Sequence, residues 1–190
     1  MKKVLITTGG SGGHVIPALN LYDHLKKDYE VELYTDIRGA KYIPKELKKT
    51  IFEVQQIPEK KYFLIIKIIF LFFSFIKSLI HLKGKKFDIV ISTGGYMSFP
   101  IVLAAKFYNK KIFLFEPNSI IGRSNKFLLK FSHKIFCYDK NLLGVKYKYK
   151  NKIIKINPIL KNCFFEKKNI NLINKNNLRI LIIGGSQSSK

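Results

Sequence analysis

Short runs of β-branched and other apolar residues alternate along this 190-residue chain with stretches whose apolar positions repeat at helical spacing. Residues 3–8 read as a buried strand, 15–28 as a helix that tolerates Pro17 in its first turn, and 30–35 as a second strand. Residues 51–57, 87–92, 111–115 and 134–138 are further strand candidates, and 99–109 and 123–131 are helical. Repeated strand and helix of this kind predicts an α/β fold built on a mostly parallel, doubly wound sheet.

Two stretches break the rhythm. Residues 158–177 are rich in Asn and Lys with little periodicity and read as a linker. A strand then restarts at 178–183 and runs into Gly184, Gly185, Ser186 and Gln187. One strand with its loop cannot make a domain, so the expected organisation is a first domain at 1–157, a linker at 158–177 and, at 178–190, the opening of a second α/β domain that is otherwise missing. The other stretch, 62–82, is strongly apolar, but its longest uncharged run, from Ile68 to Ile76, falls short of the roughly 20 apolar residues of a spanning helix. An interfacial helix fits better, with Phe70 and Phe73 entering the headgroup boundary and Lys60, Lys61, Lys67, Lys77, Lys83, Lys85 and Lys86 facing anionic lipid, so residues 62–86 form a candidate membrane surface. A helix of the domain core remains the alternative.

Charge sharpens this picture. Thirty-five basic residues against 12 acidic ones give a formal +23, a field that attracts polyanions. Only Arg38, Arg123 and Arg179 are arginines, and the abundance of Lys, Asn, Ile and Phe is equally explained by an A/T-biased genome. Without arginine forks or a motif that interleaves aromatic and basic residues, nucleic acid is not expected as a partner. Cys137 and Cys163 have neither metal-site nor disulfide spacing, which suits a reducing cytoplasm, and the chain enters its first strand with no signal peptide.

The candidate chemistry lies in loops that follow strands. The first, Gly9, Gly10, Ser11, Gly12, Gly13 and His14, presents backbone N–H groups at a helix start, where a phosphate or a sugar binds well. It is not a Walker A loop, and Val15 stands where a dinucleotide fingerprint needs its third glycine, although Asp36 after the second strand keeps an NAD reading open. His14 is a candidate general base, since the positive helix end disfavours its protonation, with a local packing role as the alternative; His24, His81 and His133 read as structural. A second loop, Thr93, Gly94, Gly95 and Tyr96 with Ser98 beyond it, should border the same crevice. A third carries Glu116, Pro117, Asn118 and Ser119, with acceptors and an amide suited to a sugar. The acids form no cluster that could hold a divalent metal, so a metal-free and cofactor-free site is expected.

Taken in order and spacing, the segments Thr8–Pro17, Gly94–Ser98, Glu116–Asn118, Asn157–Pro158 and Gly184–Gln187 resemble the MurG family, bacterial N-acetylglucosaminyltransferases that convert lipid I to lipid II in peptidoglycan synthesis. The resemblance covers the whole chain. It implies a GT-B architecture of two Rossmann-like domains, of which this chain carries the acceptor-binding N-terminal half, and an inverting, metal-independent transferase peripheral to the cytoplasmic face of the inner membrane. It further implies that the first glycine loop holds the diphosphate of lipid I, with Ser11, Gly12 and Gly13 also near the donor UDP-GlcNAc. His14 is then the base for the muramyl 4-hydroxyl, Asn118 a sugar contact, Ser186 a contact to the donor diphosphate, and 62–82 the membrane patch. Two positions depart from the family: Ile159 and Leu160 stand where it usually has Val-Arg, with Lys161 one position late, and Pro117 stands where Gln is common. Since most donor contacts belong to the C-terminal half, the chain alone is expected to bind UDP-GlcNAc poorly. A membrane-anchoring, non-catalytic subunit of a split transferase and half of an NAD-dependent oxidoreductase are the competing readings.

Overall fold

The computed structural model describes residues 1–52 and 64–160, with side chains in the second stretch from residue 69 onward. At its centre β1 (Lys3–Thr7) sends Val4 and Ile6 into one core and Leu5 into the other, as the two-residue period of a strand requires. On one side of it lie β2 (Glu30–Thr35) and β3 (Thr50–Ile51). On the other lie β4 (Ile89–Ser92), β5 (Lys111–Glu116), β6 (Lys134–Cys137) and β7 (Ile153–Lys155). The order is β3-β2-β1-β4-β5-β6-β7 and every pair is parallel, with Val4 set between Val31 and Ile89. This is the expected Rossmann-like, doubly wound α/β sheet.

A parallel sheet needs cover on both faces. α1 (Gly12–Leu25) lays Val15, Ala18, Leu19 and Leu21 over the Val4 and Ile6 face. α3 (Leu64–Leu82), α4 (Ser98–Phe107) and α5 (Arg123–Leu128) contribute to the opposite core, which contains Leu5, Tyr34, Val90, Ile112 and Leu114. α2 (Ile37–Ala40) is a single turn after β2, capped by the Asp36 side chain.

Several boundaries differ from the pattern reading. α1 starts at Gly12 rather than Val15, so Gly12, Gly13 and His14 form its first turn and Pro17 falls in the second, where it has no N–H for the Gly13 carbonyl. Only Thr50 and Ile51 pair as β3, and residues 53–57 of that expected strand lie outside the described residues. β7 and α2 were not anticipated, because three residues among lysines and one helical turn carry no periodicity. Of the expected linker only 158–160 is described; there Asn20 donates to the Ile159 carbonyl at 3.1 Å. The expected strand at 178–183 lies outside the described residues.

Crossovers leave β1 and β4 in opposite directions, and at such a switch point the carboxyl ends of the two strands open a crevice. Both glycine loops begin there.

Candidate functional site

The first loop leaves β1 through buried Thr8 and turns at Gly10, whose φ of 83° suits glycine. Asp36, at the end of β2, fixes this turn: its Oδ1 accepts from Gly10 N at 2.9 Å and from Gly39 N at 2.7 Å. Ser11 is the N-cap of α1 through its backbone, and its hydroxyl makes no capping bond. The N–H groups of Gly12 and Gly13 open the helix and have no intrahelical acceptor, so an anion at the crevice meets them and the positive end of α1.

The second loop crosses the first at close range. Gly94 and Gly95 adopt φ of 95° and 86°, and a Cβ at Gly95 would lie 2.4 Å from the Gly9 carbonyl oxygen. A Cβ at Gly94 would lie 2.9 Å from Nδ1 of His14. Glycine is required at both positions by conformation and by space.

His14 is oriented by this crossing. Its Nδ1 lies 3.0 Å from the Thr93 carbonyl oxygen, which can only accept, so the bond requires the proton on Nδ1 and leaves Nε2 of the neutral ring with a lone pair. Thr93 returns a bond from its hydroxyl to the His14 carbonyl at 3.0 Å. A half-buried imidazole held by its far nitrogen is the arrangement a general base needs.

Glu116, expected to offer acceptors to a sugar, is wholly buried. Oε1 accepts from Asn118 Nδ2 at 2.8 Å, and Oε2 accepts from Gly122 N at 2.9 Å and Asn125 Nδ2 at 3.1 Å. The carboxylate is consumed in shaping its own loop. Exposed Asn118, with its amide turned onto Glu116, keeps an Oδ1 that has no partner among the described residues. Asn125, which the sequence pattern did not single out, joins the two loops: Ser92 Oγ donates to its Oδ1 at 3.5 Å and accepts from Gly94 N at 3.1 Å. Its only signal is a polar residue inside the apolar face of α5, and that means nothing before the loops are assembled.

The Tyr96 hydroxyl is buried without a partner among the described residues, and burial pushes its pKa up to about 12, so it stays a neutral donor. Asp36, which an NAD site would need for a ribose, is already committed to Gly10 and Gly39. Ser186 lies outside the described residues. No group of three His, Cys, Asp or Glu side chains that could hold a metal occurs among the described residues.

A second surface lies on α3. Its buried side carries Ser74, Ser78 and Leu82, while Ile69, Phe72, Phe73 and Ile80 face outward, the last at 69% exposure. Phe70 is half-buried, so the outward aromatic pair is Phe72 and Phe73, whose rings meet edge to face. No described helix is long and apolar enough to cross a membrane.

Residues 4–137 match the glycosyltransferase family 28 N-terminal domain. The chain is 45% identical over all 190 residues to the UDP-N-acetylglucosamine--N-acetylmuramyl-(pentapeptide) pyrophosphoryl-undecaprenol N-acetylglucosamine transferase of Pelagibacter ubique (strain HTCC1062), covering 53% of that protein. The transferase of the same name from Rickettsia canadensis (strain McKiel) is 32% identical over 203 residues, with all of this chain and 54% of that protein covered. The chain thus spans about half the length of the curated relatives it matches. Among solved structures, Acinetobacter baumannii MurG superimposes with a TM-score of 0.64 at 21% identity, over 77% of this chain and 44% of that one.

Proposed function

This chain belongs to glycosyltransferase family 28, whose N-terminal domain it carries, and from that premise we propose that it forms the acceptor-binding part of a transferase that moves N-acetylglucosamine from UDP-GlcNAc to lipid I, giving lipid II. The observation that carries the reading is the meeting of two glycine loops on the ring of His14. The diphosphate of lipid I lies on the N–H groups of Gly12 and Gly13 with the Ser11 hydroxyl beside them, and Gly94, Gly95 and Tyr96 wall the same crevice. Asn118 Oδ1 accepts from a sugar hydroxyl, while Glu116 positions Asn118 and touches no substrate.

In the reaction, Nε2 of His14 takes the proton of the muramyl 4-hydroxyl as that oxygen attacks the anomeric carbon of the donor sugar. The bond from that carbon to the UDP oxygen breaks, the configuration inverts, and UDP leaves with the electron pair. No metal takes part in this scheme; backbone N–H groups and helix ends stabilise the departing diphosphate. A donor-binding half, joined in cis or supplied in trans, holds UDP-GlcNAc, with Ser186 near its diphosphate. The outward face of α3 rests on anionic lipid at the cytoplasmic face of the inner membrane, which brings the crevice to a lipid-linked acceptor.

The test is a transfer assay on this chain joined to the donor half of the Pelagibacter ubique relative, with UDP-GlcNAc and lipid I. Transfer should occur, and His14→Ala should lower kcat by about 10²–10⁴-fold, the usual contribution of a general base, with an unchanged melting curve. Full activity of His14→Ala removes His14 from the base role, and no transfer by the parent removes the acceptor reading.

A further inference from the structure

The two glycine loops offer neutral N–H donors to an anion, and the nearest acidic side chain works against them. Asp36 holds Gly10 N at 2.9 Å, which sets a carboxylate beside the cradle where a phosphate would bind. A bare carboxylate there repels the ligand. The next turn carries the remedy. Arg38 Nε lies 3.6 Å from Asp36 Oδ2, and its Nη2 lies 3.7 Å from the place a Cβ of Gly10 would take.

We propose that Arg38 is a phosphate-contacting residue of this site, the cation that the first glycine loop offers to a bound diphosphate, with Asp36 as its positioning residue. The assignment rests on the diphosphate reading of the loop proposed above. Pairing through Nε neutralises Asp36 and leaves the two Nη groups for the ligand, in the planar fork that matches phosphate oxygens. The Arg38 side chain is half exposed, so those groups are accessible. The guanidinium packs at ordinary contact distance beside the Gly10 turn, and next to it the Tyr42 ring lies 3.3 Å from where a Cβ of Gly12 would be. That an arginine stands here is itself informative, because only three of the 35 basic residues are arginines and a lysine would supply the charge without the fork.

The test is calorimetric titration of the full chain with inorganic pyrophosphate. Parallel titrations use Arg38→Ala, Arg38→Gln, Arg38→Lys and, as a charge-matched control across the sheet, Lys148→Ala. The parent should bind saturably. Arg38→Ala and Arg38→Gln should each weaken binding by about tenfold or more, the value of one charge-assisted contact. Arg38→Lys should recover only part of the loss, and Lys148→Ala should stay within about twofold of the parent, as a distant screened charge would. Arg38→Ala and Arg38→Gln binding as tightly as the parent overturns the assignment and leaves the loop's diphosphate reading standing. An equal loss in Lys148→Ala overturns it in favour of the overall positive field. A parent that binds no pyrophosphate overturns the diphosphate reading and this assignment together.

Discussion

Gly94 shows how little freedom the crevice leaves. Its φ of 95° is strained for any side chain, and a Cβ there would press on the His14 ring at 2.9 Å from Nδ1. Gly94→Ala should therefore cost about 1–3 kcal/mol, read as a lowered melting temperature. It should also push the imidazole off the Thr93 carbonyl, so that activity in the joined enzyme falls further than the lost stability accounts for. A substitution that changes neither melting nor turnover would contradict the crowding. Glycines of this kind are legible in a sequence because a positive φ and a close approach both select the one residue without a side chain. Glu116 and Asn125 were not legible. A carboxylate two residues from an asparagine looks like a ligand contact until four N–H groups from residues 118, 122 and 125 converge on it. That convergence is set by tertiary placement, which spacing along the chain does not encode.

Among the elements, α3 is apolar on both sides, with Phe75, Leu79 and Leu82 on the core and Ile69, Phe72, Phe73 and Ile80 outward. Small polar Ser74 and Ser78 face inward, with the Ser78 hydroxyl bonded to the Ser74 carbonyl at 2.7 Å, while Phe72 and Phe73 stand out at 59% and 64% exposure. An outward aromatic face gains nothing from water and much from a headgroup layer. Replacing both Phe72 and Phe73 with Ser should abolish co-sedimentation of the chain with vesicles containing anionic lipid and leave its melting curve unchanged; undiminished co-sedimentation would exclude this face as the membrane contact. His81 in the last turn of the same helix packs edge-on to Tyr34 and against Phe52. Burial, aided by the nearby Lys85 charge, holds its pKa below the ordinary 6.5, so the unfolded chain takes up this proton first as pH falls. Stability attached to His81 is complete above pH 6.5 and is lost as pH falls toward the folded value. His81→Gln should flatten that slope in melting curves taken between about pH 7 and 5. The apolar excess of α3 could be read from its sequence, whereas which aromatics face outward could not, because that depends on how α4 meets the helix.

On the scale of the whole molecule, alternating strand and helix foretold a parallel sheet, and strand order then decided where its chemistry could lie. The switch between β1 and β4 brings together loops more than 80 residues apart, an arrangement that residue spacing alone suggests only by analogy with other doubly wound sheets. The formal charge of +23 acts over the same scale. Vesicle binding should therefore weaken as salt rises from about 0.05 to 0.5 M, as the Debye length shrinks, and binding indifferent to salt would make α3 a purely apolar contact. The crossing of Gly95 over the Gly9 carbonyl also bears on movement. Close packing leaves no room for a side chain between the loops, and the two His14–Thr93 bonds at 3.0 Å tie them, so parting the loops after β1 and β4 would break both bonds. The histidine is thus held by the second loop as firmly as by the first, although it belongs to the first alone.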